Sequence, residues 1–270
     1  MASSRTHAAA EEGRGPGRGR KPQAGEAVLD RGFRLLHSFD PDHRVQSLSS
    51  LTRRTGMPRS SVLRLARKLV EIGALERLDD GNYVIGLRLL ELASLAPRGH
   101  GLRAEAMPYM EDLFYVTRQH VLLAVRDGDE AMLVERLSAH AATPVRFRVG
   151  GRMPLVATGV GLVLLAHAPV DVQEQMLRDF TPREDEALVQ LDSTAELRRA
   201  LAEVRRGGYA VAQRTGPGGL STVAAPVFDE GGVVAALSIV VPSTEFTPGA
   251  YVTAVRTGAR AISRQLGSNG

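Results

Sequence analysis

The spacing of apolar residues changes period several times along the first hundred positions. Residues 27–39 (AVLDRGFRLLHSF) set Val28, Phe33, Leu35, Leu36 and Phe39 near a helical repeat. Residues 48–55 (LSSLTRRT) predict a short second helix, with Ser47 as N-cap and Gly56 as its end. Pro58 suits the first turn of a third helix, where a missing N–H leaves nothing unpaired. That helix runs to about Ile72 and stops at Gly73. Its apolar stripe is Val62, Leu65, Ala66 and Leu69, at i, i+3, i+4 and i+7. Leu75–Leu78 and Tyr83–Ile85 then flank Asp79-Asp80-Gly81-Asn82, which reads as a hairpin. Three helices followed by a hairpin is the order of a winged helix-turn-helix.

Residues 87–96 (LRLLELASLA) are apolar beyond what a small winged helix can cover. They predict a linker helix that pairs with its twin in a homodimer. Pro97-Arg98-Gly99-His100-Gly101 is expected to break the chain and mark the domain boundary.

From residue 102 onward helices and strands mix. Helices are expected at 103–118, 156–168, 171–179, 194–206 and 248–266. A hairpin spans 120–138 around Asp127-Gly128-Asp129. Strands are expected at 145–149 (VRFRV), 209–213, 221–228 and 233–242. The organisation is therefore a tail (1–24), a winged helix-turn-helix domain (25–86), a linker helix (87–101) and an α/β domain (102–267). The fold class is α+β. No repeat of 20–50 residues is visible.

Charge sharpens this division. Residues 1–97 hold 16 Lys and Arg against 11 Asp and Glu, while the rest holds 18 against 19. The positive excess sits wholly in the first third, which points to a polyanionic partner there. Between 47 and 77 the cations are Arg53, Arg54, Arg59, Arg64, Arg67, Lys68 and Arg77, and the anions only Glu71 and Glu76. A solvated helix face usually mixes signs, so this face is read as a DNA interface. In the tail, GRGRKP resembles an AT-hook core for a minor groove, although a solubilising tail is the plainer reading.

Candidate chemistry removes more than it adds. There is no cysteine, hence no thiol nucleophile and no cysteine zinc site. His7, His37, His43, His100, His120, His140 and His167 are scattered singly. There is no GxSxG elbow, no Walker A loop and no GxGxxG opening a helix. Thr215-Gly216-Pro217-Gly218-Gly219 is glycine-rich but leads into a strand, as a turn would. No enzyme activity, cofactor or metal is expected. No apolar run approaches a membrane span, so a soluble cytoplasmic protein is expected.

With these elements placed, residues 27–267 resemble the IclR family of bacterial transcriptional regulators. The resemblance rests on LDRGFRLLHSF, LSSLTRRTGMPRSSVLRL, the EIGAL turn and YVIGLRLLEL in the first part. In the second it rests on GGRMPLVATGVGLVLLA, VRRGGYAV and VAAPVFDEGGVVAALSIVVP. It implies a winged helix-turn-helix, a linker helix and a GAF-like domain that binds a small effector. It also implies dimers, possibly paired into tetramers, on palindromic operators, more often as repressors than as activators.

On DNA, a recognition helix brings its N-terminal side chains nearest the bases. Here those are Arg59, Ser60, Ser61 and Arg64, with Leu63 beside them. Arginine can grip a guanine edge with two donors, and serine suits either base type. Arg53, Arg54, Arg67 and Lys68 are expected on phosphates, and Arg77 on the wing.

The resemblance places the effector pocket between the sheet and residues 154–163, at Met153, Thr158, Gly159, Gly161, Pro226, Ser238 and Val240. This chain departs from the family pattern there. Val156 stands for the usual His, Leu162 for the usual Lys, and 212–216 lacks the usual carboxylate. Ser238 keeps the first of two ligand-holding serines, while Val240 replaces the second and Val241 stands where Gly is common. Fewer polar groups favour a more apolar ligand, since a buried polar group without a partner is costly. Arg148, on the expected strand 145–149, could clamp a carboxylate; alternatively it faces solvent. A pocket that no longer senses anything, in an architectural DNA-binding protein, is the rival reading.

Overall fold

Ser47 opens the second helix through its own side chain: its hydroxyl accepts the Ser50 N–H at 3.2 Å. A computed structural model describes residues 26–139, 145, 147–182, 189, 191–214 and 219–267. GRGRKP and Thr215–Gly218 lie outside them. The chain divides into two units between Ala93 and Ser94.

The first unit contains α1 (Val28–Leu36), α2 (Leu48–Thr55) and α3 (Arg59–Glu71). The antiparallel hairpin of β1 (Leu75–Arg77) and β2 (Tyr83–Ile85) follows, and then α4 (Leu87–Ala93). Gly56 ends α2 in the left-handed region at φ 66°. At the end of α3, Ala74 N–H reaches Leu69 O and Gly73 N–H reaches Val70 O, with Gly73 at φ 75°. That Schellman pair turns the chain directly from the helix into β1. Leu35, Leu51, Met57, Val62, Leu65, Ala66, Leu75 and Tyr83 form the core.

Gln46 is the polar pin of this unit, and nothing in the sequence marked it. It is 2% exposed. Its amide donates to Ser38 O at 2.8 Å and accepts from the Ser50 hydroxyl at 2.9 Å. Its backbone exchanges two hydrogen bonds with Tyr83, so the chain before α2 adds a bridge to the wing.

In the second unit, Pro97–Gly101 do not break the chain. They form one π turn that runs into α5 (Leu102–Thr117), and the non-helical interval is shifted to residues 94–96. α4 accordingly stops at Ala93, shorter than the helix expected to Ala96. The hairpin of β3 (His120–Asp127) and β4 (Glu130–Leu137) is as the sequence predicts. β5 (Arg152–Pro154), α6 (Gly159–Ala166), α7 (Val170–Arg178) and α8 (Thr194–Gly207) come next. β6 (Ala210–Gln213), β7 (Leu220–Asp229), β8 (Gly232–Pro242) and α9 (Pro248–Gln265) complete the unit.

The expected strand at 145–149 is absent: Val145, Phe147 and Arg148 are irregular, and 149–150 turn. The carbonyls of Val145 and Phe147 accept from the Arg136 guanidinium, at 3.2 and 2.7 Å, instead of a neighbouring strand. Pairing with β4 starts later, where Leu133 bonds Gly150 and Gly151 and β5 continues.

The six strands pair antiparallel in the order β5-β4-β3-β8-β7-β6. Alternation gives the sheet two apolar faces. Val121, Leu123, Val125, Leu237 and Ile239 pack with α5 and α9. Leu122, Ala124, Ala224, Ala236 and Val240 pack with α6 and α8. All eight residues of α6 are buried, as befits a helix apolar on every side.

Candidate DNA interface and effector site

Opposite the buried stripe of α3 lies an arc of Arg59, Ser60, Leu63, Arg64, Arg67 and Lys68, since each residue advances about 100°. Arg59, Ser60, Arg64, Arg67 and Lys68 are exposed; Ser61 and Leu63 are half-buried. Arg53 at the end of α2 and Arg77 at the end of β1 are exposed too. Among the described residues, Arg53, Arg59, Arg64, Arg67 and Arg77 have no hydrogen-bonding or ion-pair partner for their guanidinium groups. Lys68 pairs with Glu71 at 2.8 Å, but both side chains are about two-thirds exposed. Such a pair is worth at most about 1 kcal/mol and yields readily to a phosphate.

Arg54 differs from its neighbours. Its Nε donates to Ser38 O at 2.8 Å, Nη1 meets His43 Nδ1 at 3.2 Å, and Nη2 pairs with Asp40. Its charge is already answered, so it orders the loop between α1 and α2 instead of standing free for phosphate. The Asp40 carboxyl is held below the usual carboxylate range, first by its bond with His43 and then, against desolvation, by the Asp42 N–H and Arg54. Arg44, exposed in the same loop and without a described partner, is a cation outside the predicted set.

The second site lies on the α6 face of the sheet. Thr158 caps α6, accepting the Gly161 N–H at 3.0 Å. The two glycines of that first turn are places of close approach. A Cβ on Gly161 would run into Leu155, with its Cα at 2.6 Å; one on Gly159 would meet Thr222 Cγ2 at 2.8 Å. α6 thus sits directly on residue 155 and on β7. Met153, Thr158, Gly159, Gly161, Pro226, Ser238 and Val240 are all buried around this contact. Val156 and Leu162, in place of the polar family residues, pack into the same apolar cluster. Arg148 lies apart from them: it is exposed, and its guanidinium lies against its neighbour's carbonyl, Val149 O, at 3.4 Å.

Strand register shows which side chains share that face. Ala224, Ser238, Leu122 and Arg136 form one row across β7, β8, β3 and β4. Thr222, Val240 and His120 form the row beside it. Ser238 is 0% exposed, and its hydroxyl has no hydrogen-bond partner. His120 bonds the Ser138 hydroxyl through Nδ1 at 2.8 Å. Thr222, His120 and Arg136 were missed in the sequence, where nothing but register connects them to Ser238.

A cationic recognition helix with a wing defines a DNA-binding regulator, here joined to a helix-sheet-helix unit with a polar atom stranded in its core. Residues 28–79 match the family model of the IclR helix-turn-helix domain. Residues 96–264 match that of the bacterial transcriptional regulator IclR C-terminal domain. The chain belongs to the IclR family of bacterial transcriptional regulators. The transcriptional repressor AllR of Klebsiella pneumoniae is 30% identical over 256 residues, covering 91% of this chain and 92% of its own. The regulator KdgR of Escherichia coli K12 is 29% identical over 253 residues, covering 92% and 95%. An IclR homolog from Microbacterium hydrocarbonoxydans, solved in complex with 4-hydroxybenzoate, superposes with a TM-score of 0.83 at 36% identity. That match covers 89% of this chain and 99% of the homolog. AllR and KdgR are transcriptional regulators and not enzymes, and the family to which the chain belongs is one of DNA-binding regulators. Among the described residues no helix is long and apolar enough to cross a membrane.

Proposed function

We propose that the protein is a cytoplasmic transcriptional repressor. It binds a palindromic operator as a homodimer, or as a dimer of dimers, and a small, rather apolar organic ligand modulates that binding. DNA reading is assigned to residues 25–86, dimer pairing to 87–101 and ligand sensing to 102–267. The observation that carries the reading is the set of exposed arginines on α3, α2 and the wing that have no partner among the described residues. Arg59, Ser60, Ser61 and Arg64 read base edges, while Arg53, Arg67, Lys68 and Arg77 hold phosphates.

One winged helix reads a short site weakly, and a twin on a symmetric site doubles the contacts. Leu87, Leu90 and Leu92 on α4 are 73%, 66% and 55% exposed, which supports pairing there. Repression follows the AllR likeness. Ligand modulation follows the stranded Ser238 hydroxyl in an otherwise apolar face, together with the 4-hydroxybenzoate held by the Microbacterium homolog.

The test is binding of the purified protein to DNA fragments from its own upstream region, across a salt series. A discrete protected site is expected, with affinity falling by a log–log slope of about −4 per protomer for the four cations assigned to phosphates. Adding 4-hydroxybenzoate or related aromatic acids should then shift the affinity. Equal binding to every fragment would favour an architectural role instead, and no binding at low salt would remove the DNA assignment.

A further inference from the structure

The α6 face of the sheet holds one cation that the reading above does not use. Strict alternation along β4 would put Arg136 with Met132 and Val134, on the α5 face. A bulge prevents this. The register between β3 and β4 slips between Leu123 and Ala124: Leu123 faces Glu135, yet Ala124 faces Leu133. The extra residue, Val134, resets the alternation. Glu135 consequently turns to the α5 side, where it pairs with Arg103. Arg136 turns to the α6 side, level with Leu122 and Ser238.

There Arg136 is half-buried. Its Nη1 is bonded to the carbonyls of Val145 and Phe147, two residues packed against the α6-side core. Its Nε and Nη2 have no partner, carboxylate or other, among the described residues. Two strand spacings along the same row stands the unpartnered Ser238 hydroxyl, roughly 10 Å away between backbones.

We infer that Arg136 anchors the carboxylate of the effector, and that the effector is an aromatic carboxylate whose far end meets Ser238. Two parallel N–H donors match the two carboxylate oxygens, and the charge is met without a water shell. Leu122, Ala224 and Val240 are the apolar side chains beside Arg136 and Ser238 on this face, and the ring would pack against them. The inference rests on the reading that the second unit senses a small ligand.

The experiment is titration calorimetry of the full-length protein with a series of hydroxybenzoates and their matching benzamides, which keep the ring and lose the charge. The wild type should bind at least one acid about tenfold or more tightly than its amide. Arg136→Met should bring acid and amide to similar affinity while leaving the amide unchanged. Arg148→Ala should keep the acid preference. If Arg136→Met weakens acid and amide alike, the residue merely supports residues 145–147 and the inference is overturned. Loss of the preference in Arg148→Ala, or a wild type with none, overturns it too while leaving ligand sensing intact. A wild type that binds no acid in the series also overturns it, and a broader ligand screen for operator release then decides the sensing reading separately.

Discussion

The two units place polar chemistry on opposite sides of their secondary structure. In the DNA-binding unit the useful groups are those α3 turns away from its core, and the arginines there stand in solvent without partners among the described residues. In the sensory unit the useful groups point inward, on a sheet face where even a serine hydroxyl is fully enclosed. A phosphate backbone must be reached from outside and is answered by charge; a small organic ligand must be enclosed and is answered by shape and a few polar atoms. The two kinds of site therefore fail in different ways when altered.

The largest expected effect is a loss of operator binding in a protein that remains folded. Arg64→Ala removes a solvent-facing side chain with no partner among the described residues, so its melting temperature should match the wild type. A base-contacting arginine is worth about 1–3 kcal/mol, and a dimer loses it twice, enough to abolish binding at ordinary concentrations. Operator titration beside a thermal melt checks both halves. Intact affinity in the folded variant would take Arg64 out of the interface.

Next come substitutions that should do the reverse. Gly161→Ala pushes a methyl into the Leu155 backbone, and Gly159→Ala one into Thr222. Overpacking of this kind costs about 1–3 kcal/mol. The melting of the sensory unit should fall, while DNA affinity measured below that transition should change far less than in Arg64→Ala. Gln46→Ala tests the other unit in the same way. It strips three bonded partners from a buried site, and about 1–3 kcal/mol of stability should go with them.

The contrast also explains what could be read in advance. α3 was legible because amphipathic periodicity sorts its residues into two arcs, and charge sign then names the outer one. The order of strands and helices in the second unit was legible for the same reason, with Gly128 and Gly208 marking turns where positive φ is needed. What failed were features that depend on partners far away in sequence. VRFRV alternates like a strand, yet the carbonyls of Val145 and Phe147 are taken by Arg136. Arg54 looks like any other helix cation, yet Ser38, Asp40 and His43 lie waiting in the preceding loop. Gly159 and Gly161 were read as ligand contacts, and the packing of α6 on Leu155 and Thr222 gives them a structural reason to be glycine. Arg136 was invisible because a single bulge reverses which face it takes.

A smaller effect separates stability from binding inside the sensory unit. The Ser238 hydroxyl is buried without a partner, so in the ligand-free protein Ser238→Ala removes an unpaid desolvation and should stabilise the fold by up to about 1 kcal/mol. The same change removes a hydrogen bond from the bound ligand, so the stabilisation that ligand adds should shrink. Melting curves with and without a binding aromatic acid would show the two shifts in opposite directions. A destabilised ligand-free Ser238→Ala protein would mean that the hydroxyl is satisfied in solution.

The smallest effect concerns how each unit treats positive charge. Where the first unit gathers cations on its surface, the second resists one at His167, the C-cap of α6. Its ring meets Phe228 edge-on at 5.8 Å, and its Nε2 is buried without a partner. Burial chiefly, and Arg205 second, push its pKa below 6.5. Below that value the unfolded chain binds a proton that the folded chain resists, so stability must fall as the pH drops through 6.5 and stay flat above about 7. His167→Phe keeps the ring packing and removes the proton site. Its melting temperature should track the wild type above pH 7 and decline less steeply from pH 6.5 to 5. Parallel curves over that range would show that His167 charges freely in the fold, and the sensory unit would then tolerate a cation that its packing is expected to exclude.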